Sequence, residues 1–193
     1  MGKGSSYESD LELEGGLTVH VRPIRPDDEP LLHEAFARMS ERSVYFRFFS
    51  PLKRLPEEMA QRLARVDRDQ RFALAAVTRE RDGAEHIIGV ARYDRAPGTD
   101  TAEVALTVVD EYQRRGIGSS LLGLLCQAAR DHGIRQFSLV VLPENQSMIG
   151  LLRRLGWIHQ ARLQGGVYEI TFDVSPGSDP AEPRQEISKT SYS

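Results

Sequence analysis

The stretch from Val108 to Ala129, VVDEYQRRGIGSSLLGLLCQAA, constrains this chain more than any other. An apolar strand runs out at Val109, a polar turn carries Gln113, Arg114, Arg115, Gly116, Ile117 and Gly118, and a helix with an apolar stripe begins near Ser119. Gly116 and Gly118 lack a Cβ, so an anion can approach the backbone where the first turn of a helix leaves N–H groups without partners. The helix dipole adds to that attraction. The turn lacks the Gly-Lys-Ser/Thr ending of a Walker loop, and Leu121 stands where a dinucleotide fingerprint needs its third glycine. A plain loop-to-helix turn accommodates two glycines about as well as a phosphate site does, so the rest of the chain has to decide.

Hydrophobic period places the other elements. Leu17 to Ile24 alternates like a half-buried strand, and a helix is expected from Pro26, with Asp27 as its N-cap and Leu31, Leu32, Ala35, Phe36 and Met39 as its apolar stripe. A dense aromatic stretch follows, with Tyr45, Phe46, Phe48 and Phe49 expected as core or lid-packing residues, and a second helix is expected from about Pro56. Phe72–Val77 and Ile87–Tyr93 read as a hairpin, and Thr101–Val109 as the strand feeding the glycine turn. Downstream come a strand from Gln136, a short helix over Gln146–Leu155, a sheet segment starting at Gly156 and Trp157, and a last strand from Tyr168. Residues 1–16 read as a flexible extension, 17–174 as one domain and 175–193 as a disordered tail.

At 193 residues the chain can bury a core without disulfides or structural metal, and a net charge of -3 gives no general reason to expect nucleic acid. The single cysteine, Cys126, cannot form an internal disulfide, and no apolar run approaches a membrane span or a secretory signal. A cytoplasmic protein without a membrane partner is the expectation. Five scattered histidines show no metal-ligand spacing, so no metal is expected.

The spacing Gln113-x-x-Gly116-x-Gly118 resembles the acetyl-CoA pyrophosphate loop of the GCN5-related N-acetyltransferases, the GNAT superfamily. Asn145 followed by a helix and the pair Gly156-Trp157 is similar to a second conserved region of that family. HVRPIRPDD at 20–28, SERSVYFRFF at 40–49 and AEVALTVVDEYQRRGIG at 102–118 look like the acetyltransferase domain of bacterial Pat-type protein lysine acetyltransferases. The resemblance implies an α/β (α+β) GNAT fold: a mixed central sheet with a splayed acetyl-CoA-binding strand and flanking helices. It also implies acetyl-CoA as co-substrate and a primary amine as acceptor, a lysine on a protein such as an acyl-CoA synthetase. Pat-type enzymes commonly carry a regulatory domain for which these residues leave no room, so a stand-alone domain is expected.

An attacking amine must be neutral, whereas a model lysine, with a pKa of about 10.4, is almost wholly protonated near pH 7. Glu103 is the candidate base, by resemblance to the Glu of the Pat-type Ala-Glu-Val/Phe-Ala stretch. Period two places it on the face shared with small Ala105 and Thr107, away from Val104, Leu106 and Val108. A solvated strand carboxylate is the alternative, and Asp94 and Asp100 are weaker candidates beside turns. The Val109 N–H is expected to polarise the acetyl carbonyl, the cofactor arm to run beside Val108 and Val109, and amides from Gln113 to Ser119 to hold the pyrophosphate. Arg114 and Arg115 either assist electrostatically or are surface cations. Asn145 binds the cofactor arm by resemblance, or caps a turn. Many GNAT enzymes place a tyrosine seven residues after this Asn to protonate the departing thiolate; here that residue is Leu152, which leaves the general acid unassigned. Cys126, inside the helix, reads as a packing residue rather than an acetyl carrier. Transfer to a small-molecule amine, and a catalytically weak acyl-CoA sensor, are the competing readings.

Overall fold

The apolar run at residues 72–77 shows no polar alternation because both of its faces are covered. The structure is a computed structural model that describes residues 7–13, 16–80, 82–156, 158 and 160–175. Its elements in chain order are β1 (Ser9–Leu13), β2 (Leu17–Pro23), α1 (Glu29–Ala37), α2 (Glu41–Phe48), α3 (Glu57–Ala64), β3 (Arg71–Arg79), β4 (Glu85–Arg95) and β5 (Thr101–Val108). Then follow α4 (Ile117–Asp131), β6 (Gln136–Val141), α5 (Gln146–Arg154), β7 (Gln160–Gln164) and β8 (Val167–Asp173). The strands form one mixed sheet in the order β1-β2-β3-β4-β5-β6-β8-β7.

Along β3, Phe72, Leu74 and Ala76 pack into the core beneath α4 and α5, while Ala73, Ala75 and Val77 pack beneath α1 and α3. Helix α4 contributes Leu121, Leu122, Leu125 and Ala128 to the first core, all under 2% exposed. Gly89 on β4 lets that helix approach: a Cβ there would meet Leu121 Cδ1 and the Thr107 carbonyl at 3.3 Å.

One strand pair organises the functional end. β5 and β6 run parallel, joined by the α4 crossover, and pair only from Thr101–Gln136 to Glu103–Ser138. Beyond Glu103 the two diverge: β5 continues against β4 as far as Val108–Gly89, and β6 continues against β8. The result is a V-shaped gap in the middle of the sheet, opening toward the glycine turn.

The fold differs from the sequence reading in three places. Order does not begin at Leu17. Ser9–Leu13 pairs antiparallel with β2, with Leu11 and Leu13 packed against the core and Tyr7 buried beside Phe72, so the alternation of leucine and acid marks an edge strand. The helix after Pro26 begins only at Glu29, behind a 3-10 turn closed by the Asp28 carboxylate, which accepts from the Arg25 N–H at 2.7 Å and takes two further hydrogen bonds of 2.7 Å from the buried Arg22 guanidinium. The aromatic stretch is itself a helix, α2, started by Ser40, whose side chain accepts from the Ser43 N–H at 3.2 Å. Its buried residue is Val44, whereas Tyr45 and Phe49 are each 43% exposed. Apart from Ser175, the expected C-terminal tail lies outside the described residues, as does Trp157.

Candidate active site

Alternation along the β4–β5 ladder fixes what faces the gap. The Val109 N–H donates to the Ile88 carbonyl at 2.9 Å, so the odd-numbered residues of β5 bond to β4 and the amides of Val104, Leu106 and Val108 turn toward β6. This corrects the expectation for Val109. Its N–H is already engaged within the sheet, and its side chain, 2% exposed, belongs to the core under α1 and α3. At this end of β5 the amide that faces the gap is that of Val108. The Val108 carbonyl points the same way and accepts from Gln113 Nε2 at 3.0 Å, which ties the turn to the end of β5.

At the open end of the gap, Gly116 is the N-cap of α4 with φ 87°, a backbone region that costs a glycine nothing. No side chain caps this helix. Ser119 Oγ instead donates to the Gly116 carbonyl at 2.7 Å, and the amides of Ile117, Gly118 and Ser119 remain first-turn donors. Gly118 serves close packing rather than conformation: a Cβ would sit 3.2 Å from Leu106 Cδ2 and 3.4 Å from Leu151 Cδ2, so those side chains would have to give way. Ile117 is 1% exposed and anchors the helix in the core. Arg114, at φ 61°, lines the cleft; Arg115 lies over the Tyr112 ring, 5.7 Å from its centroid.

The cleft has a volume of about 780 Å³. Of the residues singled out from sequence, it brings together Glu103, Val108, Gln113, Arg114, Gly116, Gly118, Ser119 and Asn145; Val109, Arg115 and Ile117 do not line it. Asn145 is the N-cap of α5, its Oδ1 accepting from the Met148 N–H at 3.2 Å, which leaves its Nδ2 as a donor at the cleft wall. Leu152 is fully buried in the core, while its neighbour Leu151 lines the cleft.

Helix α2 roofs the gap and is fastened on both sides of it. On the β5 side, Asp110 accepts from the Ser40 N–H (2.9 Å), Ser40 Oγ (2.7 Å) and Ser43 Oγ (2.8 Å). Burial works against its charge, but the hydrogen bonds from Ser40 and Ser43 outweigh it and hold the carboxyl below the usual range. On the β6 side, Arg42 reaches the Glu144 carbonyl at 3.3 Å. Neither fastening was legible in the sequence, because each joins residues at least 67 positions apart. A helical reading of 41–48 would have grouped Ser43, Phe46 and Arg47 on one face, and all three line the cleft.

Glu103 sits where that cleft meets an open trough of about 1100 Å³ shared with Asp94, Asp100 and Ser138. Its carboxylate is exposed and has no hydrogen bond or ion pair among the described residues. Asp94 and Asp100 are engaged differently: Asp94 pairs with Arg92 at 3.1 Å, and the Asp100 carbonyl caps the start of β6 by accepting from the Arg135 and Gln136 amides. Cys126 is 3% exposed, and burial pushes its thiol up to about 12, which suits packing and not acyl transfer. Away from the cleft, the fold brings one ligand atom each of Glu29, His33 and Glu57 within 4.8 Å of one another, a proximity that histidine spacing did not reveal; His33 Nε2 lies 3.1 Å from Glu57 Oε2. No helix among the described residues is long and apolar enough to cross a membrane.

The chain is similar to proteins with this architecture. It is 32% identical over 178 residues to Acetyltransferase Pat of Mycolicibacterium smegmatis, covering 90% of this chain and 51% of that protein, so it spans about half of that relative. An acetyltransferase of Pseudomonas aeruginosa is 30% identical over 148 residues, covering 77% of this chain and 79% of the relative. Among solved structures, the GNAT domain of the S. lividans Pat protein superposes with a TM-score of 0.80 at 35% identity, covering 89% of this chain and 99% of that one. The profile of the acetyltransferase (GNAT) family matches residues 36–157, from the end of α1 through the roof helix, the splayed strand and the glycine turn to Trp157. A sheet split between β5 and β6, with a bare helix N-terminus at its open end, is the arrangement that this match covers, and the chain belongs to the GNAT family of acetyltransferases.

Proposed function

We propose that the protein moves an acetyl group from acetyl-CoA directly to a primary amine, the ε-amine of a protein lysine, with Glu103 as the proton acceptor. The observation that carries this reading is the placement of Glu103: an unpaired carboxylate at the closed end of the gap, where the cleft and the trough meet. It lies five residues up β5 from Val108, about 17 Å at strand rise. An extended cofactor arm would run along that length, with its pyrophosphate on the α4 amides and its arm bonded to the free edge of β5. Asn145 Nδ2 would hold the arm from the other wall.

In this scheme Glu103, directly or through one water, removes a proton from the acceptor ammonium, and the neutral nitrogen attacks the thioester carbon. A gap-facing β5 amide nearer Glu103, the Leu106 or Val104 N–H, would receive the developing oxyanion. Collapse breaks the carbon–sulfur bond and releases CoA thiolate; the acylated nitrogen sheds its second proton to solvent, and solvent protonates the thiolate, since Leu152 supplies no acid. A lysine acceptor is supported by the likeness to a Pat enzyme, and an acyl-CoA synthetase is the partner class proposed on the same ground. A cytoplasmic setting, where the lone Cys126 stays reduced, belongs to the same proposal.

The test is mass spectrometry of a host proteome incubated with acetyl-CoA and either the wild-type protein or Glu103→Gln. Enriched lysine acetylation on a small set of proteins, absent with the variant, is the expected result. Acetylation of small amines alone would replace the protein acceptor with a metabolite. Acetyl-CoA binding with no product on any amine would make the protein a sensor.

A further inference from the structure

The floor of the cleft around Glu103 carries more positive charge than the chemistry described so far requires. Directly opposed residues in the β4–β5 ladder share a face, so Arg92 (opposite Ala105) and Asp94 (opposite Glu103) stand on the face that α2 and α3 cover. Arg92 is accounted for: its Nε donates to Asp94 at 3.1 Å and its Nη1 to the Leu63 carbonyl at 3.3 Å. Arg47 descends from α2 into the same space and Arg62 from α3. Among the described residues neither has a hydrogen bond or ion pair; the guanidinium of Arg47 rests only over the Phe48 ring, 5.0 Å from its centroid. Burial, and next the neighbouring Arg92 charge, lower Arg47 to about 10, against the opposing pull of Asp94 and Glu103. A partly buried guanidinium with five donors and no acceptor is poised for an anion.

The cofactor does not supply that anion. Its phosphates belong at the α4 N-terminus, the far end of β5 from the level of Glu103, Arg92 and Asp94. What enters at the Glu103 level is the acceptor. Resting on the acetyl-transfer reading above, we propose that Arg47, assisted by Arg62, binds a carboxylate carried by the acceptor close to the amine that Glu103 receives. The substrate class is thus an amine with a neighbouring carboxylate. In a protein this is an acidic residue beside the target lysine; in a metabolite it is the carboxylate of an amino acid. Small Ala105, between Arg92 and Glu103 in the floor, leaves room for both groups side by side.

The test uses lysine peptides that carry either Asp or Asn beside the lysine, together with free lysine and lysinamide. Affinity is measured by calorimetry on the CoA-bound protein, and transfer by CoA release. The wild type is expected to bind the Asp peptide about tenfold or more tighter than the Asn peptide, with the same preference in kcat/KM expressed through KM. Arg47→Gln should bring that ratio close to one and Arg62→Gln should lower it partly. Arg47→Lys, which keeps the charge without the fork, should fall between. Preference for free lysine over lysinamide without a peptide preference would assign the carboxylate to a small molecule.

Equal affinity of the wild type for the Asp and Asn peptides and for lysine and lysinamide would overturn the subsite, whether or not transfer occurs. So would a loss of kcat in Arg47→Gln that is the same for acidic and amide acceptors, because that result makes Arg47 a partner of Glu103 alone. Binding with the expected preference but no transfer to any amine would leave the subsite standing and remove the acetyl-transfer reading.

Discussion

The two ends of the cleft are built from different materials. At the glycine turn the polar groups on offer are backbone: amides of Ile117, Gly118 and Ser119 behind the left-handed Gly116. At the Glu103 end they are side chains delivered by three elements: Glu103 on β5, Arg47 on α2 and Arg62 on α3. A backbone site is tied to one short segment and survives many side-chain changes. A side-chain site can be remade one residue at a time. The difference fits an enzyme whose donor is constant and whose acceptor sets its specificity.

That contrast can be broken experimentally, and the largest effect is expected at the side-chain end. Glu103→Gln should lower turnover by about 10²-fold or more near neutral pH while leaving acetyl-CoA affinity unchanged, as read by single-turnover kinetics and calorimetry. A parallel loss of affinity would show that the two ends are not separable. At the backbone end, Gly118→Val should push α4 away from Leu106 and Leu151. The expected cost is about 1–3 kcal/mol of stability in urea melts, together with weaker acetyl-CoA binding. Normal affinity in that variant would mean that the first-turn amides need no fixed distance from β5.

Smaller effects should mark the boundary between the two ends. Asn145→Ala removes the α5 cap and should cost about 1 kcal/mol, with a loss of acetyl-CoA affinity that Asn145→Asp, which keeps the cap but not the amide donor, also shows. The smallest effect is expected at Asp110, whose lowered carboxyl anchors α2. Because its folded-state pKa lies below the unfolded value, the anchoring contribution is fully present above the unfolded carboxyl range, about pH 4, and is lost as pH falls through the folded value. Protection factors of the α2 amides should therefore fall as the pH drops below about 4 in the wild type. Asp110→Asn should show faster exchange already at neutral pH and a flatter pH response.

The same contrast explains what could be read from the sequence. The strand-turn-helix at Val108–Ala129 follows from local spacing, because glycine positions and apolar period act within a few residues, whereas the cofactor class came from the resemblance of that spacing to a known family. Period two in the strand assigned Glu103 its face, while its candidacy as base came from the family resemblance. The amide at Val109 was placed one residue out of register, since ladder phase depends on which residues of β4 lie opposite, and that is not written in β5. Helix α2 was missed because three phenylalanines and a tyrosine in five residues obscure helical period; only its Ser40 cap gave a local sign. Arg47 and Arg62 drew no notice at all, since an arginine on an amphipathic helix reads as solvated until the helix is known to face a cleft.

The parting of β5 from β6 leaves the N–H groups of Leu106 and Val108 and the Leu106 C=O as a strand edge inside the molecule rather than at its margin. Such an edge on the outside of a protein invites pairing with a second chain. Here α2 lies over one side and α4 over the other, so that a slender arm can slide in where a neighbouring sheet cannot dock. The cofactor would then serve as a temporary ninth strand, and the protein would regain an unbroken sheet only between substrate arrival and product departure.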